Sequence, residues 1–348
     1  MQTLDVNKAL LTAEDYAYSR LLSYVTLEFP GYIIGRHHKL TAHYLQKLES
    51  GEITRLAIFM PPRHGKCVDP KTQILLADGS RKDAEKIRAG DRVYSHKDGK
   101  LCKSYVVGTE DAYKPRIKIT SRTGRSIVVS HDHPMLTFDG YKPAELLTKA
   151  DHLLAVHSPI VGGPALPDAE LDFISCMLFE GCCSKKTNNK LFANADPHVV
   201  SIFKEACAKL GIKVYQSASM RSFEYRVSVE ANAVLDKYKI NNHLCYTKRI
   251  PQSFFKAPLC QKWRFVDLMF QTDGYFCKSA GNGGISLANE HLIDDIQSLL
   301  SSCGVASAKS FKANNKAGAW ILTIGRSQLV KVLEHCQLGS KRAACQSI

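Results

Sequence analysis

The chain has 348 residues, 45% hydrophobic and 23% charged, a balance that excludes a wholly disordered or collagen-like polymer and predicts two or three domains, each with its own core. Lysine and arginine number 47 against 33 acidic residues, a formal net charge of +14, which favours polyanionic partners, nucleic acid first among them. No stretch reaches the roughly 18 unbroken apolar residues of a membrane helix, and the N-terminus lacks the basic start, apolar run and small-residue cleavage site of a secretory signal; no membrane partner and a cytoplasmic location are expected.

In chain order, residues 1–50 read as helical. Apolar residues recur at three- and four-residue spacing after an N-cap at Thr12, Pro30 and Gly31 close that run, and a second helix is predicted from Lys39 to Leu48, closed by Ser50 and Gly51. Residues 55–60 form a buried-strand run leading into Pro61-Pro62-Arg63-His64-Gly65-Lys66. From Cys67 to about His157 short apolar runs, such as 73–77 and 126–130, alternate with turn signals at Asp78-Gly79, Gly90-Asp91, Asp98-Gly99 and Asp139-Gly140, a β-rich texture. Residues 158–167 read as a linker. From Asp168 onward helices mix with strands.

Two segments in that last region match. Residues 173–181 and 266–274 are apolar helix-like runs ending in an acid and a glycine, Glu180-Gly181 and Asp273-Gly274, 93 residues apart. Amphipathic helices at 196–211 and 289–304 keep the same offset, which points to a duplicated unit. Twelve cysteines include no Cys-x-x-Cys pair and no zinc-finger spacing, so most are expected to be small buried hydrophobes.

A strand entering Gly-Lys is half of a phosphate-binding loop, in which Lys meets the β- and γ-phosphates and a following Ser or Thr binds Mg²⁺. Here Cys67 stands in the hydroxyl's place. Residues 37–66 resemble the opening of phage-type large terminase subunits, ATPases that pump DNA into capsids. The resemblance implies a short α/β ATPase fragment in which Arg63, Gly65 and Lys66 belong to the phosphate-binding motif, with ATP serving only the intact host protein.

Residues 67–95 resemble the N-terminal splicing block of inteins in the initial Cys67, Asp69, Thr72-Gln-Ile, Asp78-Gly79 and Gly90-Asp91-Arg-Val. Residues 124–137 resemble the second block, with Ser130-x-x-His133 for the usual Thr-x-x-His. The resemblance implies the β-rich horseshoe of Hint domains, shared with hedgehog autoprocessing domains. It also implies a thioester formed by attack of Cys67 on the Lys66 carbonyl, with His133 protonating the departing nitrogen and Ser130 polarising the scissile peptide. The residue types suit the chemistry, because a thiolate is nucleophilic near neutrality and an imidazole titrates there. The chain ends CQLGSKRAACQSI, without the third strand-rich block or the terminal His-Asn. The horseshoe is therefore expected to be incomplete, with a missing C-terminal intein and extein segment as partner, the extein beginning with Ser or Thr.

The acid-glycine helices resemble the paired helices of LAGLIDADG (dodecapeptide) homing endonucleases. The resemblance implies a metal-dependent endonuclease of double-stranded DNA, monomeric through a pseudo-two-fold axis, with Glu180 and Asp273 as the catalytic acids that hold Mg²⁺. Tyr246-Thr-Lys248-Arg-Ile-Pro251 resembles the family's Lys-x-Ile-Pro block and implies Lys248 as catalytic lysine. Five residues before each acid stand Ser175 and Leu268; a leucine at that close-packing position is expected to push the helices apart. The whole is thus read as an α+β multidomain chain. It has an ATPase-like host fragment (1–66), an incomplete Hint domain (67–157), a linker (158–167) and a duplicated αββαββα-like LAGLIDADG domain (168–342, repeats about 171–262 and 263–342). The rival readings are a fragment of an ATP-driven packaging motor and a DNA-binding module with dead active sites.

Overall fold

The computed structural model describes residues 21–28, 36–54, 67–97, 100–160, 162–184, 190–216, 223–313 and 318–348. The chain divides between Gly65 and Lys66 into two units. In the first, helices α1 (Leu21–Glu28) and α2 (Arg36–Glu49) pack against each other. The second helix starts three residues before the expected Lys39. It ends as expected, where the Ser50 amide donates to Gln46 O at 2.9 Å and Gly51 takes φ +75°. The helix expected over residues 1–20, the strand at 55–60, and Arg63, Gly65 and Lys66 lie outside the described residues.

The second unit begins with four antiparallel hairpins. These are β1 (Gln73–Leu75) with β2 (Arg81–Asp83), β3 (Arg92–Lys97) with β4 (Lys100–Tyr105), β5 (Arg116–Thr120) with β6 (Ser126–Ser130), and β7 (Pro134–Thr137) with β8 (Gly140–Pro143). Single bridges join them, Leu76↔Val93 and Val68↔Val129 among them. The turn signals account for the reversals: Gly79 and Gly140 take φ +88° and +106°, a region closed to most side chains. This part hides a repeat of its own at a 60-residue offset. Lys82 pairs with Asp91 at 2.7 Å, and Lys142 pairs with Asp151 at 2.9 Å. Short 3₁₀ turns, Ala84–Lys86 and Ala144–Leu146, sit at matching places. Its interior is thin. Among the described residues its buried apolar side chains are Ala77, Ile87, Val129, Pro134 and Ala144, whereas Val107, Tyr113 and Phe138 are exposed.

Residues 158–160 and 162–167, expected to be a linker, are strapped down. The Ile160 amide donates to Ser302 O at 2.9 Å, and Lys262 Nζ donates to Ile160 O at 3.1 Å. The Gln261 amide both receives from Leu166 N at 2.8 Å and donates to Leu166 O at 2.6 Å. Buried polar side chains take up the strap's backbone groups, as burial requires.

Two αββαββα units follow. The first has α3 (Asp168–Phe179), β9 (Gly181–Cys182), β10 (Lys190–Ala193), α4 (Pro197–Lys209), β11 (Val214–Tyr215), β12 (Glu224–Val227) and α5 (Ala231–Lys237). After α6 (Gln252–Lys256) the second has α7 (Leu259–Gln271), β13 (Gly274–Cys277), β14 (Asn282–Leu287), α8 (Glu290–Ser302), β15 (Ala308–Lys312), β16 (Ala319–Gly325) and α9 (Arg326–His335), with α10 (Arg342–Gln346) last. The sheets share one topology, β11-β12-β10-β9 and β15-β16-β14-β13. Asp196 and Asn289, 93 residues apart, cap α4 and α8 by accepting from His198 N and Leu292 N, as short polar side chains do at helix starts. Helix α3 is buried from Leu171 to Leu178, which is why its sequence is apolar on every side. It packs on α7 at the centre of one continuous core containing Phe173, Phe192, Phe203, Phe254, Phe265 and Phe270.

The expectation that most cysteines are buried is corrected. Cys176, Cys183, Cys207, Cys303, Cys336 and Cys345 are buried, half of the twelve, while Cys182, Cys245 and Cys260 are exposed. Exposed thiols are tolerated where burial is not needed to hold the fold. No helix among the described residues is long and apolar enough to cross a membrane.

Candidate functional site

The two acids stand where α3 and α7 break directly into strands. That break demands glycine next. A Cβ at Gly181 would lie 2.5 Å from Met177 O, and one at Gly274 would lie 2.6 Å from Phe270 Cα. The acid-glycine pairs are thus a packing requirement repeated at both helix ends. Burial raises the Glu180 carboxyl above its ordinary range, and the charge of Asp273 raises it further; the Asn194 amide, donating to Glu180 Oε1 at 2.8 Å, works against this. Burial likewise raises Asp273, opposed by Lys341 and Lys248. Leu268 is buried and borders a cleft of about 360 Å³ shared with α4 and α9. The central helices are also clamped by Arg264, whose Nε and Nη2 donate to the two oxygens of Asp172 at 2.5 Å.

Lys248 is buried at the end of α3. Its ammonium donates to Met177 O, Leu178 O and Gly181 O at 2.7, 3.0 and 2.6 Å, where the helix dipole favours a cation. Lys341 does the same at the end of α7, donating to Thr272 O at 2.6 Å and Gly274 O at 2.7 Å. It lies 93 residues after Lys248, the offset of the acids, and it is the site residue that the sequence reading missed. The signal was there, since Lys248-Arg249 and Lys341-Arg342 are matching pairs, but no Ile-Pro follows the second. Burial lowers both amines, while Asp273 and Glu180 push Lys341 back up. Each lysine loop is held by the helix cap of the other repeat. Asn289 Nδ2 donates to Lys248 O at 2.8 Å, and Ser340 Oγ donates to Asp196 Oδ2 at 2.5 Å.

Among the described residues no group of three or more His, Cys, Asp or Glu side chains is placed to hold a metal ion. The donor set at the helix ends still fits Mg²⁺, which is ordinarily held by one or two carboxylates with water and phosphate oxygens completing its shell. Two raised, partly buried carboxyls fit such an ion.

In the hairpin region, residues 67–69 run antiparallel to the end of β6. Asp69 N donates to Val128 O and Ser130 N to Cys67 O, both at 2.9 Å. The Cys67 amide in turn donates to Ser130 Oγ at 3.3 Å. Cys67 is half-buried. His133, also half-buried, follows in the next turn, its amide donating to Ser130 O at 3.0 Å. Between them, burial would raise the Asp132 carboxyl, but hydrogen bonds from Lys114 and Ser130 outweigh it and hold the group at about 2. His131 turns to Glu145 instead, with Nδ1 3.0 Å from Oε2.

Residues 261–337 match the LAGLIDADG-like domain. The matched stretch takes in most of α7, the second sheet, α8 and α9. Over 319 residues, 82% of the chain, the sequence is 23% identical to the replicative DNA helicase DnaB of Rhodothermus marinus, and it spans about a third of that protein's length (33%). Solved structures similar to the chain include a mesophilic variant of the homing endonuclease I-DmoI (11% identity, TM-score 0.38, 52% of this chain and 97% of that one). They also include full-length DUF199/WhiA from Thermatoga maritima (10% identity, TM-score 0.36, 53% and 61%).

Proposed function

We propose that residues 168–342 form a duplicated LAGLIDADG endonuclease that cuts double-stranded DNA with a divalent cation, acting as a monomer. The observation that carries this reading is the acid pair. Two half-buried carboxyls stand each at the broken end of a central helix, the charge of Asp273 raises the proton affinity of Glu180, and each helix end also holds a lysine. Glu180 and Asp273 would hold the cation, which when bound supplies charge stabilisation to a phosphodiester transition state. Lys248 and Lys341, fixed by backbone carbonyls, would place positive charge beside phosphate oxygens. The rest of the chain's excess positive charge suits the backbone of the duplex. The test is metal-dependent nicking of long DNA by the parent, Glu180→Gln and Asp273→Asn proteins. Variants that nick as well as the parent sink the acid assignment. A parent that binds DNA but never nicks it is a dead module.

The hairpin region we read as the N-terminal part of a Hint splicing domain, interrupting a terminase-like host fragment at residues 1–66 in which Gly65 and Lys66 would meet ATP in the intact host. The division of the chain within one residue of Cys67 supports this reading, as does the Ser130 hydroxyl resting on the Cys67 amide. Cys67 Sγ, its thiol proton lost to solvent, would attack the Lys66 carbonyl carbon; the C–N bond breaks as the nitrogen takes a proton from His133, with Ser130 holding that nitrogen. Mass spectrometry after adding a small thiol should detect a fragment ending at Lys66, absent in Cys67→Ala. No fragment at any pH counts against the mechanism.

A further inference from the structure

We propose that Asn289 and Asp295, the cap and an inner residue of helix α8 in the second repeat, are positioning residues for Lys248 of the first. The first helix end then takes its working form only through the second repeat, a dependence the second does not return. The inference rests on the endonuclease reading and adds to it the means by which Lys248 is held in place.

The segment that carries Lys248 has little packing of its own, since Leu244 and Tyr246 are exposed. Helix α8 grips it at three consecutive residues instead. Asn289 Nδ2 donates to Lys248 O at 2.8 Å and to Cys245 O at 3.1 Å, while its Oδ1 accepts from Leu292 N at 3.1 Å and so caps α8. Asp295 takes the Arg249 guanidinium on both oxygens, Nε at 2.6 Å and Nη2 at 2.7 Å, and the Ile250 amide at 3.1 Å. A bidentate pair of this kind fixes orientation as well as distance. Asn289 and Asp295 are both buried, which keeps water from competing for these bonds.

The Lys341 segment is held differently. Ninety-three residues before Asp295 stands Ile202, which has nothing to offer a guanidinium. Arg342 Nη1 turns back to Cys336 O at 2.9 Å. The segment is anchored within its own repeat, where the Leu338 amide donates to Asp267 Oδ1 of α7 at 2.7 Å. From the first repeat it receives the Asp196 carboxylate, on the Ser340 hydroxyl. A misplacement of about 1 Å can cost about 10²-fold in rate. Side chains that fix where Lys248 stands therefore govern cleavage without touching DNA.

The test uses the full chain with Asn289→Ser, Asp295→Asn and Ser340→Ala. Serine still caps a helix but has no amide to donate, and asparagine keeps the size of Asp295 while losing the ion pair. Each protein is acetylated with acetic anhydride, and mass spectrometry follows the peptide carrying each lysine. Lys190 and Lys262, buried and likewise held on backbone carbonyls, report on the fold. Asn289→Ser and Asp295→Asn should acetylate Lys248 about 10-fold faster than the parent does, with Lys190 and Lys262 unchanged. Single-turnover cleavage of DNA with Mg²⁺ or Mn²⁺ should fall about 10- to 100-fold in both, with the Kd for DNA unchanged. Ser340→Ala should leave acetylation of Lys341 within about twofold of the parent.

If Lys248 stays protected in both variants, or if Lys190 and Lys262 become reactive along with it, the two residues support the fold alone and the inference is overturned. Release of Lys341 by Ser340→Ala overturns the one-way dependence. Faster acetylation of Lys248 with cleavage unchanged overturns its part in the reaction. A parent that nicks no DNA overturns the endonuclease reading, while acetylation still decides whether α8 positions Lys248.

Discussion

The two repeats of the duplicated domain agree in their backbones and disagree in the side chains around them. Both run αββαββα with one sheet topology, both break from central helix to strand at a glycine, and both fix a lysine on the carbonyls at that break. These features follow from backbone geometry, which tolerates few alternatives. Where side chains alone decide, the copies have drifted. Glu180 answers Asp273, Ser175 answers Leu268, Phe192 answers Ile285, and Asn194, which donates to Glu180, is answered by Leu287. The repeats are symmetric as frames and unequal as chemistry.

The largest test of that equality is at the acids. If each repeat supplies half of a cation site, Glu180→Gln and Asp273→Asn should each lower DNA cleavage by about 10³-fold or more, since the cation contributes several kcal/mol of charge stabilisation. A variant that loses cleavage of only one strand would show that the halves act independently. The same variants report on the raised carboxyls. A raised carboxyl means that the folded chain holds more protons than the unfolded one, so stability falls as pH rises from the ordinary carboxylate range through the raised values. Without metal at neutral pH, Glu180→Gln and Asp273→Asn should therefore melt higher than the parent, and adding a divalent cation should stabilise only the parent. Equal melting profiles across pH would count against burial of these charges.

The core offers the next contrast. Phe192 is buried against Phe203, their ring centroids 3.9 Å apart, while Ile285 occupies the matching place in the second sheet. Phe192→Ala should cost about 3–5 kcal/mol in denaturant unfolding and Ile285→Val about 0.5–1.5 kcal/mol. Comparable losses would mean that the first sheet collapses around its cavity.

How far the sequence spoke for this architecture depends on what each feature is made of. The 93-residue register was legible because an apolar helical run, an acid and a glycine are written contiguously, and so are the caps Asp196 and Asn289. Three of the four hairpins were legible from an Asp-Gly in sequence; β5 and β6 reverse at Thr123-Gly124, without one. Lys341 was not, because its role depends on the carbonyls of Thr272 and Gly274, far back in the chain and without a pattern of their own. The strap at 158–167 looked like a loose linker because its anchors, Gln261 and Lys262, lie about a hundred residues on. The 60-residue repeat of the hairpin region escaped because its shared content is short: Lys82-x-Ala84-Glu85 and Lys142-x-Ala144-Glu145, with the ion pair and 3₁₀ turn they build, stand in otherwise different strands.

The lysines test the frame. Lys248→Met and Lys341→Met each remove an ammonium held by helix-end carbonyls, so each should reduce cleavage by a similar factor, about 10- to 100-fold, from lost charge beside the phosphates. A large effect at Lys248 with none at Lys341 would mean that only the first repeat retains a working site. Melting temperatures separate this from unfolding, because unpaired carbonyls at a helix end cost stability whichever lysine is lost.

The smallest effect is the one that separates the repeats most finely. Asn194 gives Glu180 a hydrogen bond that Leu287 cannot give Asp273. Asn194→Leu copies the second repeat's residue into the first. It removes a donor to Oε1, so burial and the charge of Asp273 act on Glu180 with less opposition, and its carboxyl should hold its proton to higher pH. A single hydrogen bond of this kind contributes about 0.5–1.5 kcal/mol, so one strand should be cut about 2- to 10-fold more slowly. On supercoiled plasmid this reads as nicked circles that persist before linear DNA appears, an excess that shrinks as pH is raised. If nicked and linear products instead keep the parent's ratio at every pH, Asn194 does not tune Glu180, and the inequality of the acid ends lies in their lengths alone.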